Sequence, residues 1–491
     1  STTILAVSMT DPMGSVIETA KIVVDYLNGK GQKTGMVMVR LYRPFSADAF
    51  LKSVPATAAR IAVLDRTKEP GSVAEPLCVD VRAAFYGTDR HPLIVGGRYG
   101  LSSKDTTPEQ IVSVFENLAS QSPIDNFTIG IRDDVTFKSL PLPKEPIILK
   151  EGYEAKFFGI GSDGTVGANK NSVKIIGDLT DKFAQAYFAY DSKKSGGVTV
   201  SHLRFGDKPI RDTYLVNNPD FVACHVPVYL EKYDVLKGLK PGGTFLLNSL
   251  WDQNEIADHL PAKVKRYLAE NNIRFFIINA TRISEELGMP GRTNTIMQAA
   301  FFKVAGVIPY ETAVNEMKNA IKKTYGKKGD DIVAVNFAAV DRGGTEVIEV
   351  PIPEEWKNAK DDTETASDID SSPFINEVMN PMLRMDGDSL PVSLFANRPD
   401  GTFPQGTTAY EKRGVAINVP EWIPGHCIQC NQCSLVCPHA AIRPFLLNPD
   451  EKNAAPSGFT TIPAKGKGIE GLEFRIQVSP LDCSPEGSPG F

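Results

Sequence analysis

Four cysteines late in the chain, Cys427, Cys430, Cys433 and Cys437, stand at C-x2-C-x2-C-x3-C and are followed by Pro438. Thiolates two residues apart on one loop reach successive corners of a [4Fe–4S] cube. A fourth Cys beside Pro turns away and ligates a second cluster. A structural zinc site wants two Cys pairs separated by a longer loop, and four Cys within eleven residues do not easily surround one ion tetrahedrally. A disulfide framework is at odds with seven Cys in 491 residues. The spacing therefore implies transfer of single electrons.

A second pattern binds rather than reacts. Gly159-Ile160-Gly161-Ser162-Asp163-Gly164 fits G-x-G-x-x-G, follows an apolar strand and precedes the helix start Thr165-Val166-Gly167-Ala168-Asn169-Lys170. Glycines let the backbone approach a pyrophosphate while helix N–H groups face the anion. The bland alternative is a tight βα turn with no ligand. In a nicotinamide site an acidic residue ending the second strand binds the ribose, and Asp191 stands roughly there. Lys193 and Lys194 follow at once and suit a phosphate better than a diol. That favours a phosphorylated ribose, as in coenzyme A, over NAD. Two solvated ammoniums at a strand end are the commoner meaning of such a pair.

Other candidates are weaker. Cys78 and Cys224 lie in apolar sequence and read as buried small hydrophobes. The six histidines show no i, i+4 pair and read as structural. His426 and His439 flank the Cys run as loop caps, or as hydrogen-bond partners that would tune a cluster. No G-x-S-x-G, Walker A or zinc deaminase signature appears, so no self-contained catalytic constellation is expected.

The elements that must position these residues alternate. Strands are expected at Thr3–Met9, Met36–Leu41, Arg60–Leu64 and from Pro92. Helices are expected over Val16–Leu27, closed by Gly29 and Gly31, and from Thr107-Pro108 to about Leu118. Alternating strand and helix means a parallel sheet. A Pro-rich crossing (Pro141, Pro143, Pro146) leads to a second α/β region near Glu154. Its strands are expected at Ala155–Ile160, Ala184–Tyr190, Gly197–Leu203, Phe221–His225, Thr244–Leu247 and Phe275–Ile278, with a helix over Glu311–Lys323. Asp361–Asp370 holds five acidic residues and no basic one, which reads as a solvated linker. A connector containing Tyr410-Glu411-Lys412-Arg413-Gly414 then enters the Cys module.

Composition sets the frame. At 491 residues the chain exceeds one core, so three or four domains are expected. With 42% hydrophobic residues and a net charge of −6 it has no basic excess to suggest nucleic acid. No apolar run reaches the roughly 18–20 residues of a membrane span. The first residues carry no charged stretch and run straight into a strand, which reads as neither signal nor transit peptide and, without a Met, as a processed or excised piece. Low Cys content and oxygen-labile clusters imply a reducing, anaerobic interior.

Arg40-Leu41-Tyr42-Arg43-Pro44-Phe45, Gly161 through Asn171, Ser201-His202-Leu203-Arg204-Phe205-Gly206 and the Cys run resemble the pyruvate:ferredoxin oxidoreductases over essentially the whole chain. The resemblance implies oxidative decarboxylation of pyruvate to acetyl-coenzyme A and CO2 on thiamine diphosphate. Electrons would pass through [4Fe–4S] clusters to ferredoxin or flavodoxin, in a large homodimer. The resemblance also implies the cytoplasm of an anaerobic bacterium or an anaerobic organelle such as a hydrogenosome. It implies an α/β multidomain fold: a transketolase-C-terminal-like parallel-sheet domain over 1–150, a Rossmann-like coenzyme A domain over 151–360, an acidic linker and small connector over 361–415, and a partial ferredoxin-like α+β module over 416–491. The domains that bind thiamine diphosphate and Mg2+ are expected outside this chain, and with them the catalytic residues.

By the same resemblance, coenzyme A contacts Thr165, Val166, Gly167, Ala168 and Asn169, with Lys194, Asn294 and Asn336 completing the site. The first cluster takes Cys427, Cys430 and Cys433. Cys483 partners Cys437 at the second. The family continues after Cys483 with another Cys run, whereas this chain reads Ser484 to Phe491 and stops, so each cluster would be short of ligands here. The alternative function is a non-catalytic coenzyme A or nucleotide-binding scaffold that uses the Cys module for assembly or electron relay.

Overall fold

The computed structural model describes residues 2–8, 15–143, 147, 152–161, 163–191, 196–361 and 372–484. Lys193, Lys194, Ser162, most of the acidic stretch and the tail after Ser484 lie outside these described residues.

The first unit alternates β1 (Thr2–Ser8), α1 (Ser15–Gly29), β2 (Thr34–Val39), α2 (Ala47–Ser53), β3 (Ala58–Asp65), α3 (Pro76–Phe85), β4 (Leu93–Arg98), α4 (Pro108–Ala119) and β5 (Phe127–Thr128). All five strands are parallel, in the order β2-β1-β3-β4-β5. Apolar runs such as Ile61 to Leu64 are buried on both faces, as parallel strands flanked by helices require. Gly31 takes φ +83° just past α1, the left-handed stop that a Cβ disfavours. Pro108 opens α4 as expected, but the Thr107 side chain makes no capping bond. Asp65 ends β3 and caps α3, accepting from Leu77 N (3.0 Å) and Cys78 N (3.2 Å). Burial nonetheless pushes its carboxyl up to about 6.

The second unit contains β6 (Tyr153–Ile160), α5 (Thr165–Leu179), β7 (Phe183–Tyr190), β8 (Val198–Gly206), β9 (Phe221–Cys224), α6 (Tyr229–Lys232), β10 (Thr244–Asn248), α7 (Ile256–His259), α8 (Ala262–Glu270), β11 (Arg274–Ile278), α9 (Ala280–Glu286), α10 (Asn294–Ala305), α11 (Tyr310–Tyr325), α12 (Asp330–Thr345) and β12 (Ile348–Val350). Its sheet runs β12-β11-β10-β9-β6-β8-β7. The four central strands are parallel. The flanks are antiparallel: β12 on β11, and the β7–β8 hairpin on β6.

Strand alternation splits the core. Ala155 and Phe157 face α5 and α10, represented by Ile175, Ile176 and Phe301. Phe158 and Ile160 face α6, α8 and Trp356, represented by Tyr229 and Leu268. The hairpin moves Asp191 away from its expected place. It ends the outermost strand, two strands from β6, rather than a parallel neighbour of β6.

A short segment follows with little regular structure beyond α13 (Asn380–Leu383). It is tied to the first unit where Ser393 donates from N (2.9 Å) and Oγ (2.6 Å) to Asp134, and by the Lys104–Asp388 pair. The last unit has α14 (Gln432–Val436), β13 (Ile442–Leu447), α15 (Pro449–Ala454), β14 (Ile462–Pro463) and β15 (Glu473–Val478). Its sheet is antiparallel, in the order β13-β15-β14. Among the described residues no helix is long and apolar enough to cross a membrane.

Candidate coenzyme and iron–sulfur sites

The glycine loop joins β6 to α5 and is held from inside. Asp163 turns back so that its carboxylate accepts from Ile160 N (3.0 Å), Thr165 N (2.7 Å) and Thr165 Oγ (2.7 Å). Thr165 Oγ also lies 2.8 Å from His225 Nδ1. A hydroxyl has one proton, and here it goes to the carboxylate, so the imidazole must donate from Nδ1. That leaves Nε2 as the acceptor of the ring. Burial holds His225 below its ordinary pKa against the pull of Asp163, which keeps the ring neutral.

Gly164 sits at φ +86°, and a Cβ there would stand 3.0 Å from the Asn294 side chain. Asn294 opens α10, so the structure brings it against the loop. The first turn of α5 then carries Thr165, Val166, Gly167, Ala168 and Asn169. Gly167 faces open space. Asn169 is buried, yet its Nδ2 finds no acceptor in the protein. An orphaned donor beside free helix N–H groups fits a ligand with anionic oxygens. Asn336 lies one helix further away, on α12 against α10, and donates to Ile332 O (2.8 Å) in its own helix. Lys194 is outside the described residues.

The chain leaves β6 on one face of the sheet and β9 on the other, so a crevice opens between the carboxyl ends of these two neighbours. A cavity of about 580 Å³ occupies it, walled by Gly161, Asp163, His225, Asn248, Trp251 and Arg292 among others. Asn248 braces its floor, donating to His225 O (3.0 Å) and accepting from Ala280 N (2.9 Å). Trp251 stacks on His259 at 4.1 Å. The sequence reads His225 as structural and gives no sign of Asn248 or Trp251 as site residues. The available signal was position, since His225 and Asn248 stand where two central strands end.

In the last unit Cys427, Cys430 and Cys433 line one cavity of about 340 Å³, backed by Trp422, Ile442 and Phe474. Gln429 (φ +63°) and Asn431 (φ +59°) take left-handed turns between them, which wraps the loop around the space. Among the described residues no three such side chains converge as a cage for one metal ion. A cube with iron at its corners suits thiols spread around a cavity rather than converging on one point. Cys437 does not line that cavity, and its Sγ accepts from Ala441 N (3.3 Å). Burial, and then the neighbouring Cys437, pushes the Cys483 thiol up. The five thiols therefore divide into a group of three and a pair. Cys78 and Cys224 are buried, with thiols pushed up to about 12 by burial.

Residues 154–346 match the family described as pyruvate ferredoxin/flavodoxin oxidoreductase, and residues 9–111 match pyruvate:ferredoxin oxidoreductase core domain II. Residues 420–443 match a 4Fe-4S binding domain, and 360–416 a domain of unknown function. The chain is 55% identical to pyruvate-flavodoxin oxidoreductase of Enterobacter agglomerans, over 97% of its own length and 40% of that protein. It is 54% identical to pyruvate:ferredoxin oxidoreductase of Moorella thermoacetica, with the same coverage. It is 47% identical to the mitochondrial pyruvate dehydrogenase [NADP(+)] of Euglena gracilis, over 96% of the chain and 26% of that protein. The chain thus belongs to the pyruvate:ferredoxin/flavodoxin oxidoreductase family and spans about two fifths of the length of its first two relatives.

Proposed function

We propose that this chain is the coenzyme A-binding and electron-relaying part of an enzyme that converts pyruvate and coenzyme A to acetyl-coenzyme A and CO2. Two electrons pass through [4Fe–4S] clusters to ferredoxin or flavodoxin. The observation that carries the reading is one chain holding both an unsatisfied anion cradle at Asn169 and a cavity walled by three thiols. Thiamine diphosphate with Mg2+, on parts of the enzyme outside this chain, supplies the decarboxylation chemistry.

The residues described above bind and orient. The first turn of α5 and Asn294 receive the phosphates of coenzyme A. Lys194 adds a charge, Asn336 sits deeper, and the crevice beside His225 excludes water. Cys427, Cys430 and Cys433 hold the first cluster, while Cys437 and Cys483 belong to the second. The working enzyme is a homodimer in the reducing interior of an anaerobic cell or organelle.

Two measurements test this. Calorimetry with coenzyme A should show binding that Lys194→Ala weakens by about 1–3 kcal/mol, the weight of one charged hydrogen bond. Adding the remaining portions of the enzyme should restore pyruvate decarboxylation. Coenzyme A binding without any such complementation would favour the scaffold, and absence of binding would sink both.

A further inference from the structure

Asp482 precedes Cys483 and is a hub. Its carboxylate, largely buried, accepts from Lys412 Nζ (2.5 Å), Ser479 Oγ (2.8 Å) and Arg443 Nη2 (3.3 Å). Arg443 also donates to Ala440 O (2.8 Å), three residues beyond Cys437. Ser479 N donates to Ala441 O (2.8 Å), and Ala441 N donates to the Cys437 thiol. The turn that carries Cys483 and the chain leaving Cys437 are thus joined by this carboxylate, by the Ser479–Ala441 backbone bond and by the β13–β15 ladder.

The third arm of the hub comes from elsewhere. Lys412 belongs to the 360–416 stretch, which matches a domain of unknown function. Next to it, Arg413 N (3.1 Å) and Gly414 N (3.0 Å) both donate to Leu481 O. The Lys412 carbonyl in turn accepts from Lys232 Nζ (2.8 Å), at the end of α6 in the second unit. On the far side, a Cβ on Gly196 would stand 2.6 Å from Ser484 Oγ, so the hairpin of the second unit packs against the residue after Cys483.

We propose that Lys412-Arg413-Gly414 is a latch that helps hold the segments carrying Cys437 and Cys483 together and fastens them to the coenzyme-binding unit through Lys232. Lys412 is a positioning residue. It acts through Asp482 and touches neither thiol. The group the pair receives is a metal–sulfur cluster only if the reading in the preceding section holds. The hydrogen bonds that join the two segments do not depend on it.

The test uses the reduced, metal-free 491-residue chain and dibromobimane, which bridges two thiols only when they lie close together. Bridged peptides are mapped by mass spectrometry. The parent should give a Cys437–Cys483 bridge. Lys412→Met and Asp482→Asn should each lower its yield roughly tenfold, the weight of a charge-assisted hydrogen bond, and Lys412→Arg should restore it. Near-ultraviolet circular dichroism equal to the parent's in each variant reports that the fold is kept, so that a lost Cys437–Cys483 bridge is read against a folded chain. Equal Cys437–Cys483 yields in parent, Lys412→Met and Asp482→Asn overturn the latch, as does a parent that forms no such bridge. Because bridging needs no iron, a parent that bridges but binds no iron on anaerobic reconstitution keeps the latch and loses the iron–sulfur reading.

Discussion

The glycine loop and the Cys loop are both short turns that present polar atoms to a cavity, yet different things hold them in place. Behind the glycine loop stands a seven-stranded sheet with a packed core on each face. Asp163, Thr165 and His225 then lock the turn without any ligand. Behind the Cys loop stands a three-stranded sheet whose buried apolar side chains, among the described residues from 416 on, are Ala441, Phe474 and Ile476. Ile428 and Leu435 are 75% and 83% exposed. So small a core gives little cohesion, and metal ligation commonly supplies it in such modules. One site is built by burial, while the other has few buried side chains behind its thiols.

Substitutions should expose that contrast. The largest effect is expected in the Cys module. Cys430→Ala removes one of the three thiols around the cavity and should abolish iron uptake at that site on anaerobic reconstitution. The melting of the sheet unit should not move. Iron content equal to the parent would erase the distinction. In the glycine loop, Thr165→Val leaves a buried imidazole N–H without its acceptor and takes one of two donors from the Asp163 carboxylate oxygen. It should cost about 2–3 kcal/mol in denaturant unfolding, with iron uptake unchanged. A loss under about 0.5 kcal/mol would mean that the lock contributes little.

The smallest effect has the opposite sign. Lys156 lies on β6 opposite His202 on β8, and burial lowers its pKa from 10.5 to about 8, against the pull of Glu154 and Asp234 and with help from Lys237. The unfolded chain keeps this proton up to the ordinary lysine range. Below pH 8 the folded chain therefore carries a poorly solvated ammonium, and that cost fades as pH rises towards 10.5. Lys156→Met should stabilise the unit by about 1–2 kcal/mol at pH 7, with the gain shrinking towards pH 10.5. A gain independent of pH would assign it to packing instead.

Much of the fold was readable because apolar runs declare buried strands. The expected strands at Ala155–Ile160, Phe221–His225 and Phe275–Ile278 appear within a residue or two as β6, β9 and β11. Strand direction was not readable. A period of two is the same for parallel and antiparallel neighbours, so the β7–β8 hairpin, and with it the true place of Asp191, needed coordinates. Helices α2 and α3 were also passed over, since Ala47–Ser53 is too short for periodicity to show.

At the sites, the Cys spacing announced itself because all the chemistry sits in one loop. His225 was taken for a structural residue because its partner Thr165 lies 60 positions earlier, and such pairings are invisible to local pattern. Asn294 beside Gly164 came from family resemblance, and no spacing rule would have found it.

The lock on the glycine loop has a kinetic consequence. A turn whose Asp163 carboxylate, Thr165 hydroxyl and His225 imidazole already satisfy one another has these bonds in place before any anion arrives. An anion taken there spends that much less of its affinity on ordering these three side chains. Capture should then be a single encounter, its observed rate climbing in proportion to ligand with no plateau from a slow isomerisation.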